Sequence, residues 1–139
     1  RNTEIVRNNP QWLEGTTRLL SSPGKGGHPR GMAIDLTLVT TDGVPLPMGT
    51  AFDELNPKGA GPDVNKAHRD YRPLDPTVIR NRGILEEVIA EAGSELGVPL
   101  KPLPSEWWDF RLPSEIYEHY APLADADLPP AMRMALASD

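Results

Sequence analysis

The sequence contains no cysteine, and this excludes two kinds of site. No disulfide framework can form, and no thiolate can bind zinc, so any metal must be held by His, Asp or Glu side chains. Only three histidines are available, His28, His68 and His119. A zinc site would therefore need carboxylates to complete it. The absence of cysteine leaves the cellular compartment open.

Long apolar runs and basic clusters are also missing. No apolar stretch approaches the ~18 residues typical of a membrane span, and the amino end does not resemble a signal peptide. No run of Lys or Arg exceeds two residues, and the formal net charge is -6. A phosphate backbone would find little basic surface on such a chain. We therefore expect no membrane span and no nucleic-acid partner.

The length and composition indicate one domain with a modest core and much loop. The chain has 139 residues, of which 38% are hydrophobic, 16 are proline and 12 are glycine. We predict a single domain over 1–139, because this length suffices for one core without disulfide or metal. Within it, 1–23 should be an irregular lead-in with a short strand at 16–20. A helical turn around 116–120 and a tail complete 113–139.

Hydrophobic periodicity predicts an α+β fold with a small antiparallel sheet packed against helices. The clearest strand is 32–40, where Met32, Ile34, Leu36 and Leu38 alternate with smaller or polar residues and should face the core. Asp35 then lies on the opposite face. Further strands are expected at 44–48, on a sheet edge because of its prolines, and at 105–112.

One helix is predicted between two long connections. It begins with Asp75 as N-cap and Pro76 at the first turn, and it runs to about Ala92. The segment before it, 49–72, has few apolar residues and should be a surface excursion pinned by Phe52 and Leu55. The segment after it, 94–104, should be a proline-rich link. The predicted buried stripe of the helix consists of Val78, Ile79, Leu85, Val88, Ile89 and Ala92.

Two segments carry residues suited to chemistry. A glycine-rich loop presents His28 and leads into the strand with Asp35, which is how few ligands can be aimed at one ion. Glu106 and Asp109 lie in an aromatic-rich segment, three positions apart, so a regular strand would point them to opposite faces. They can share a site only at a bulge or a strand end. The alternative is that this aromatic-rich segment is a core strand and that its two carboxylates are simply exposed to solvent.

Four segments, taken together, resemble the D-alanyl-D-alanine dipeptidase family of zinc peptidases. Residues 28–38 read HPRGMAIDLTL and resemble the family's HxxGxAxDLTL element, and 42–53 resemble the segment after it. Residues 80–93 are similar to the family's helix. Residues 106–110, EWWDF, are similar to its EWWH(F/Y) strand. The four matches occur in order and at comparable spacing over 24–112.

The resemblance implies a fold, a cofactor and a set of roles. The fold would be that of the hedgehog/DD-peptidase group, here expected without its N-terminal part. His28 and Asp35 would bind zinc, and Glu106 would be the general base that passes a proton from the attacking water to the leaving amine. The family's third ligand is a histidine, and Asp109 stands in its place. A second carboxylate favours harder ions such as Mn²⁺ as well.

Further roles follow from the same resemblance. Trp107 and Trp108 would contribute to substrate binding, and the substrate would be a small dipeptide. The family has an arginine upstream of the first motif, in a YRP-like segment that has no counterpart before His28. We treat the YRP triplet at 71–73 as a coincidence, and a separate chain or segment would supply the missing part. We expect Arg30 to be a solvated loop charge, and His68 and His119 to be surface or interface residues.

Two functional hypotheses remain open at this point, besides a generic α+β interaction domain. The first is a metal-dependent dipeptidase that hydrolyses D-Ala-D-Ala or a similar cell-wall dipeptide. The second is a catalytically impaired relative that binds peptidoglycan peptides or a protein partner. The replacement at Asp109 and the missing arginine motivate the second hypothesis.

Overall fold

The computed structural model describes residues 24–54, 56 and 58–133, together with 7, 8, 10, 21 and 22. The predicted strand at 16–20, Leu55 and the end of the tail lie outside these residues. From residue 24 onward the described secondary structure consists of strands β1 (Ala33–Asp35), β2 (Lys101–Pro102) and β3 (Asp109–Arg111), helices α1 (Pro76–Glu95) and α2 (Ser114–Tyr117), and short 3-10 turns. The α+β prediction is confirmed. The helices of this part are too short or too polar to span a membrane.

The sheet has β3 at its centre, paired antiparallel with β1 on one side and β2 on the other. In the β1–β3 register, Ala33 lies opposite Arg111, Ile34 opposite Phe110 and Asp35 opposite Asp109. Directly opposed residues share a face of the sheet. One face therefore carries Asp35, Asp109 and Arg111, and the other carries Phe110.

The strands differ from the predicted ones in length and position. Residues 32–40 form a regular strand only over Ala33–Asp35, and 44–48 form a single bridge between Val39 and Pro45. Prolines lack the N–H that a continuous ladder needs. In place of a strand at 44–48, the sheet contains Lys101–Pro102, which lies inside the predicted proline-rich link 94–104. Ile34 was predicted to face the core but is half-exposed, because β1 is an edge strand.

Helix α1 begins as predicted and ends later. The Asp75 carboxylate accepts a hydrogen bond from the Thr77 backbone N–H at 2.8 Å, and Pro76 is the first helical residue. The helix continues past Ala92 and Gly93 to Glu95. Position 93 requires glycine, because a Cβ there would lie 2.7 Å from the Val98 carbonyl oxygen.

The predicted buried stripe of α1 is only partly correct. Val78 and Leu85 are buried, whereas Ile79 and Val88 are 45% and 50% exposed, and Ala92 is exposed. The buried face includes Arg82 instead. Its guanidinium donates to three backbone carbonyls, those of Met48, Lys66 and His68. A buried charge is tolerated when hydrogen bonds satisfy it.

The core lies between α1, β3 and the irregular segment before the helix. It consists of Met48, Ala67, Leu85, Trp107, Trp108 and Phe110, with Leu36, Leu38 and Ile89 packed against it. Phe52 contacts both tryptophan rings, as its predicted anchoring role requires. The predicted surface excursion is wrong for 65–68, because Asn65, Ala67 and His68 are buried. The buried His68 accepts a hydrogen bond from the Asp70 backbone N–H, and His119 is exposed.

The two interior glycines of α1 give the first prediction. Gly93→Ala should lower the free energy of unfolding by about 1–3 kcal/mol, because the added methyl group overlaps the Val98 carbonyl. Gly83→Ala should raise it by about 0.5–1 kcal/mol, since nothing lies within 4 Å of a Cβ there and alanine favours the helix. Urea unfolding of both variants tests the opposite signs. Equal effects would contradict this packing of α1.

Candidate metal centre

Three ligand atoms from separate parts of the chain converge on one face of the sheet. His28 Nε2 lies 3.1 Å from Asp109 Oδ2 and 3.2 Å from Asp35 Oδ1. All three atoms lie within 4.8 Å of one another. The imidazole is partly exposed, the Asp35 carboxylate less so, and Asp109 is 1% exposed. The structure therefore brings together the three residues that the sequence predicts as metal ligands.

Sheet register and a tight turn explain this convergence. Asp35 and Asp109 are opposed residues of β1 and β3, so their carboxylates occupy the same face. His28 begins a 3-10 turn, His28–Arg30, that is held by the Gly27 carbonyl, which accepts from the N–H groups of Arg30 and Met32. The chain thus doubles back just before β1. This places the imidazole above the two carboxylates.

Arg30 fixes this turn and is not the solvated charge that the sequence predicts. Its Nε donates to the Tyr120 carbonyl at 2.7 Å. Its Nη1 donates to the carbonyls of Gly24 and Gly26 at 2.9 Å. The guanidinium therefore ties the loop before His28 to the segment after α2, which stabilises the position of the imidazole.

Glu106 lies in a turn immediately before β3, and its carbonyl accepts from the Asp109 N–H at 3.4 Å. Because Glu106 precedes the strand, its side chain is not held on the face opposite Asp109, as it would be in a regular strand. Burial raises the pKa of Glu106 to about 7, and the charges of Asp109 and Asp35 add to the rise. The Trp108 indole N–H donates to Glu106 Oε2 at 3.1 Å.

The two tryptophans are core residues in this structure. Both rings are almost completely buried and meet edge to face, with centroids 5.1 Å apart. The indole N–H of Trp107 donates to Thr50 Oγ1 at 2.8 Å. Their contacts are those of packing and of orienting Glu106. Direct substrate binding by either ring stays a prediction, and their burial does not favour it.

Two arginines that the sequence analysis did not single out support the site. Arg111 contacts both carboxylate oxygens of Asp109, with Nε 2.8 Å from Oδ1 and Nη2 against Oδ2. Arg69 donates to the carbonyls of Leu103, Trp107 and Asp109 and forms an ion pair with Glu86 of α1. The alternation of side chains along a strand could have indicated Arg111, which is two positions from Asp109. Nothing in the sequence indicated Arg69.

The electrostatics of these three side chains favour a charged imidazole at His28. Hydrogen bonds to Asp109 and Asp35 raise the pKa of His28 to about 10. Burial opposes ionisation of Asp109, but the bonds from His28 and Arg111 lower its pKa overall. Metal ligation requires a neutral imidazole, so metal binding would release the His28 proton and strengthen as the pH rises.

The donor set fits a divalent cation. One nitrogen and two carboxylate oxygens leave room for water or substrate, as in catalytic zinc sites, and they also suit Mn²⁺. In the described part of the chain, Asp35 Oδ1 is buried, and apart from the ion pair with His28 Nε2 at 3.2 Å it has no hydrogen-bond partner. The single Nε2–H of His28 cannot satisfy this oxygen and Asp109 Oδ2 fully at once, and under-satisfied buried acceptors are rare in native proteins. An ion between these three residues would satisfy it.

Comparison with known proteins gives one family. The profile of the family described as D-ala-D-ala dipeptidase, Peptidase_M15, matches residues 6–125. A D-alanyl-D-alanine dipeptidase of Escherichia coli (strain K12) is 36% identical over 86 residues, which are 62% of this chain and 37% of that protein. A D-alanyl-D-alanine dipeptidase of Enterococcus faecium is 31% identical over 94 residues, 67% of this chain and 40% of that protein. The matches thus span about two fifths of these curated relatives.

The raised pKa of Glu106 gives the second prediction. An acid whose pKa rises from 4.5 to about 7 on folding binds its proton more tightly in the folded protein. Its contribution to stability is fully present below pH 4.5 and is lost as the pH rises through about 7. In metal-free protein, Glu106→Gln should therefore raise the free energy of unfolding at pH 8 by up to about 3 kcal/mol, and change it little at pH 4.

Denaturant unfolding with a chelator at both pH values measures this effect. Glu91→Gln, at an exposed position of α1, is the matched control. An equal effect of Glu106→Gln at pH 4 and pH 8 would contradict a buried ionisable carboxyl at this position.

Proposed function

The chain belongs to the D-ala-D-ala dipeptidase family, and from this we propose that it is a metal-dependent dipeptidase acting on D-Ala-D-Ala or a similar small cell-wall dipeptide. The observation that carries the proposal is the convergence of three metal donors next to a buried glutamate with a raised pKa. Perturbed pKa values next to a candidate metal site are typical of catalytic centres.

His28, Asp35 and Asp109 are the residues that would hold the ion, through Nε2, Oδ1 and Oδ2. We assign zinc as the first candidate and Mn²⁺ as the second, because two of the three donors are carboxylates. A bound ion would supply Lewis-acid activation of water and of the peptide carbonyl.

Glu106 is the residue to which we assign proton transfer. A carboxyl with a pKa of about 7 is present in both protonation states near neutral pH, so it can accept a proton and return it. It would take the proton from the attacking water and give it to the leaving amine nitrogen. Trp108 holds Oε2, so Oε1 is the oxygen that we assign to this transfer.

We propose that the rest of the active centre corresponds to the part of the relatives that does not align with this chain. The aligned segments cover 37% and 40% of the two dipeptidases. We infer that a preceding segment or a separate chain supplies the arginine that stabilises charge on the substrate. The partner of the site would be a small dipeptide, with no nucleic acid involved.

Metal content and hydrolysis test the proposed function together. Protein loaded with zinc or manganese should retain about one ion per chain after desalting, as one three-ligand site requires. Combined with the segment or chain that supplies the arginine, it should also release alanine from D-Ala-D-Ala. If no stoichiometric metal remains after either treatment, the proposal is wrong. Addition of a chelator should abolish activity, and the ion should restore it.

Glu106→Ala separates catalysis from metal binding. The variant should retain its ion, because Glu106 is not among the three ligands, and it should lose about 10²–10⁴-fold in kcat. Glu91→Ala on the exposed face of α1 is the control and should be unchanged. Undiminished turnover of Glu106→Ala would remove it from the assigned role.

A catalytically impaired relative that binds cell-wall peptides or a protein is the second candidate. It is favoured by the Arg111 guanidinium, which already occupies both oxygens of Asp109. If this candidate is correct, the parent protein binds no zinc and Asp109→His creates tight binding. Calorimetry with zinc on the two proteins distinguishes the candidates.

A further inference from the structure

Asp109 and Arg111 form a two-residue unit on one face of β3. The guanidinium of Arg111 reaches both oxygens of the Asp109 carboxylate, with Nε donating to Oδ1 at 2.8 Å and Nη2 contacting Oδ2. Asp109 is almost completely buried, and Arg111 is mostly buried. Such fork-shaped pairs fix the plane of a carboxylate as well as its charge.

This pairing solves a charge problem created by Asp109. Asp35 lies directly opposite Asp109 in the sheet, so two carboxylates face the same point. Like charges opposed in this way repel, and a buried carboxylate without a partner is costly. Arg111 cancels the charge of Asp109 and leaves that of Asp35. With a neutral imidazole at His28, the three ligands and Arg111 together then carry one negative charge, that of Asp35.

The pair leaves one side of Asp109 accessible. Arg111 covers both carboxylate oxygens, yet His28 Nε2 still lies 3.1 Å from Oδ2. Oδ2 can therefore be shared between Arg111 and a group located near His28 and Asp35. A cation there could bind Oδ2 while Arg111 keeps its bond to Oδ1.

We propose that Asp109 and Arg111 act as one neutral ligand unit, in which Asp109 donates an oxygen to the cation and Arg111 is the positioning residue that orients the carboxylate and cancels its charge. The inference rests on the proposed metal site. The residues at 109 and 111 therefore depend on each other and cannot be exchanged one at a time.

A double-mutant cycle on zinc affinity tests this dependence. The four proteins are the parent, Arg111→Gln, Asp109→His and the double variant, and affinity is measured by competition with a chromophoric chelator. In the parent background, Arg111→Gln should weaken zinc binding about tenfold or more, because Asp109 loses its orienting partner. In the Asp109→His background, the same change should strengthen it about tenfold or more, because the unpaired guanidinium there repels the cation.

In the cycle with Arg111→Gln, the reversal of sign is the expected result, and every other pattern overturns the proposal. Weakening in both backgrounds would show that Arg111 supports the site whatever residue stands at 109. Strengthening in both would show that Arg111 competes with the metal. Zinc binding by none of the four proteins would contradict the proposed metal site as well, whereas binding without a reversal would overturn this inference alone.

Two further variants secure the interpretation. Arg80→Gln, at an exposed position of α1, should leave zinc affinity unchanged and controls for the loss of one positive charge. If Arg111→Gln does not fold, as judged by circular dichroism, Arg111→Lys takes its place in the cycle. Lysine keeps the charge without the fork, so it should weaken binding in the parent and give no gain in the Asp109→His background.

Discussion

The antiparallel pairing of β1 with β3 determines what this site can be. It places Asp35 directly opposite Asp109, so two carboxylates share one face of a small sheet. Such an arrangement is stable only if cations lie next to it. Here these are His28, whose pKa the two carboxylates raise to about 10, and Arg111. The resulting network already has the form of a cation-binding site.

Buried arginine side chains donate hydrogen bonds to backbone carbonyls that regular strands would pair in other domains. The described strands are two or three residues long, so few backbone groups are paired in ladders. Arg82 instead bonds carbonyls of the irregular segment before the helix, and Arg69 bonds those of the segment that carries Glu106. Each guanidinium has five N–H donors, which suits it to satisfying several carbonyls at once. The position of Glu106 therefore depends on Arg69 as well as on Trp108.

The sequence predicted those parts of the fold and site that depend on local chemistry. The start of α1 follows from Asp75 and Pro76. The grouping of His28, Asp35 and Asp109 joins residues distant in sequence, and it was predicted only through the family resemblance. Other contacts distant in sequence could not be predicted. Lys101 and Pro102 pair with β3 although their local sequence indicates a link.

The orientation of α1 is the other large difference. Its apolar residues predict a stripe that includes Ile79 and Val88, but the face that packs inward holds Asn81 and Arg82. The carbonyls of Pro47 and Met48 favour this orientation of the helix, because they accept hydrogen bonds from these two side chains. Periodicity in one segment does not contain this information, because the acceptors lie more than thirty residues away.

Anomalous diffraction tests most directly whether a divalent ion binds between His28, Asp35 and Asp109. Crystals grown with zinc and measured at the zinc absorption edge should show one strong peak about 2.0–2.2 Å from His28 Nε2 and from an oxygen of each aspartate. Arg111 should remain on Asp109 Oδ1. A map without a peak at this position, with His28 still paired to both carboxylates, would contradict the binding of an ion there.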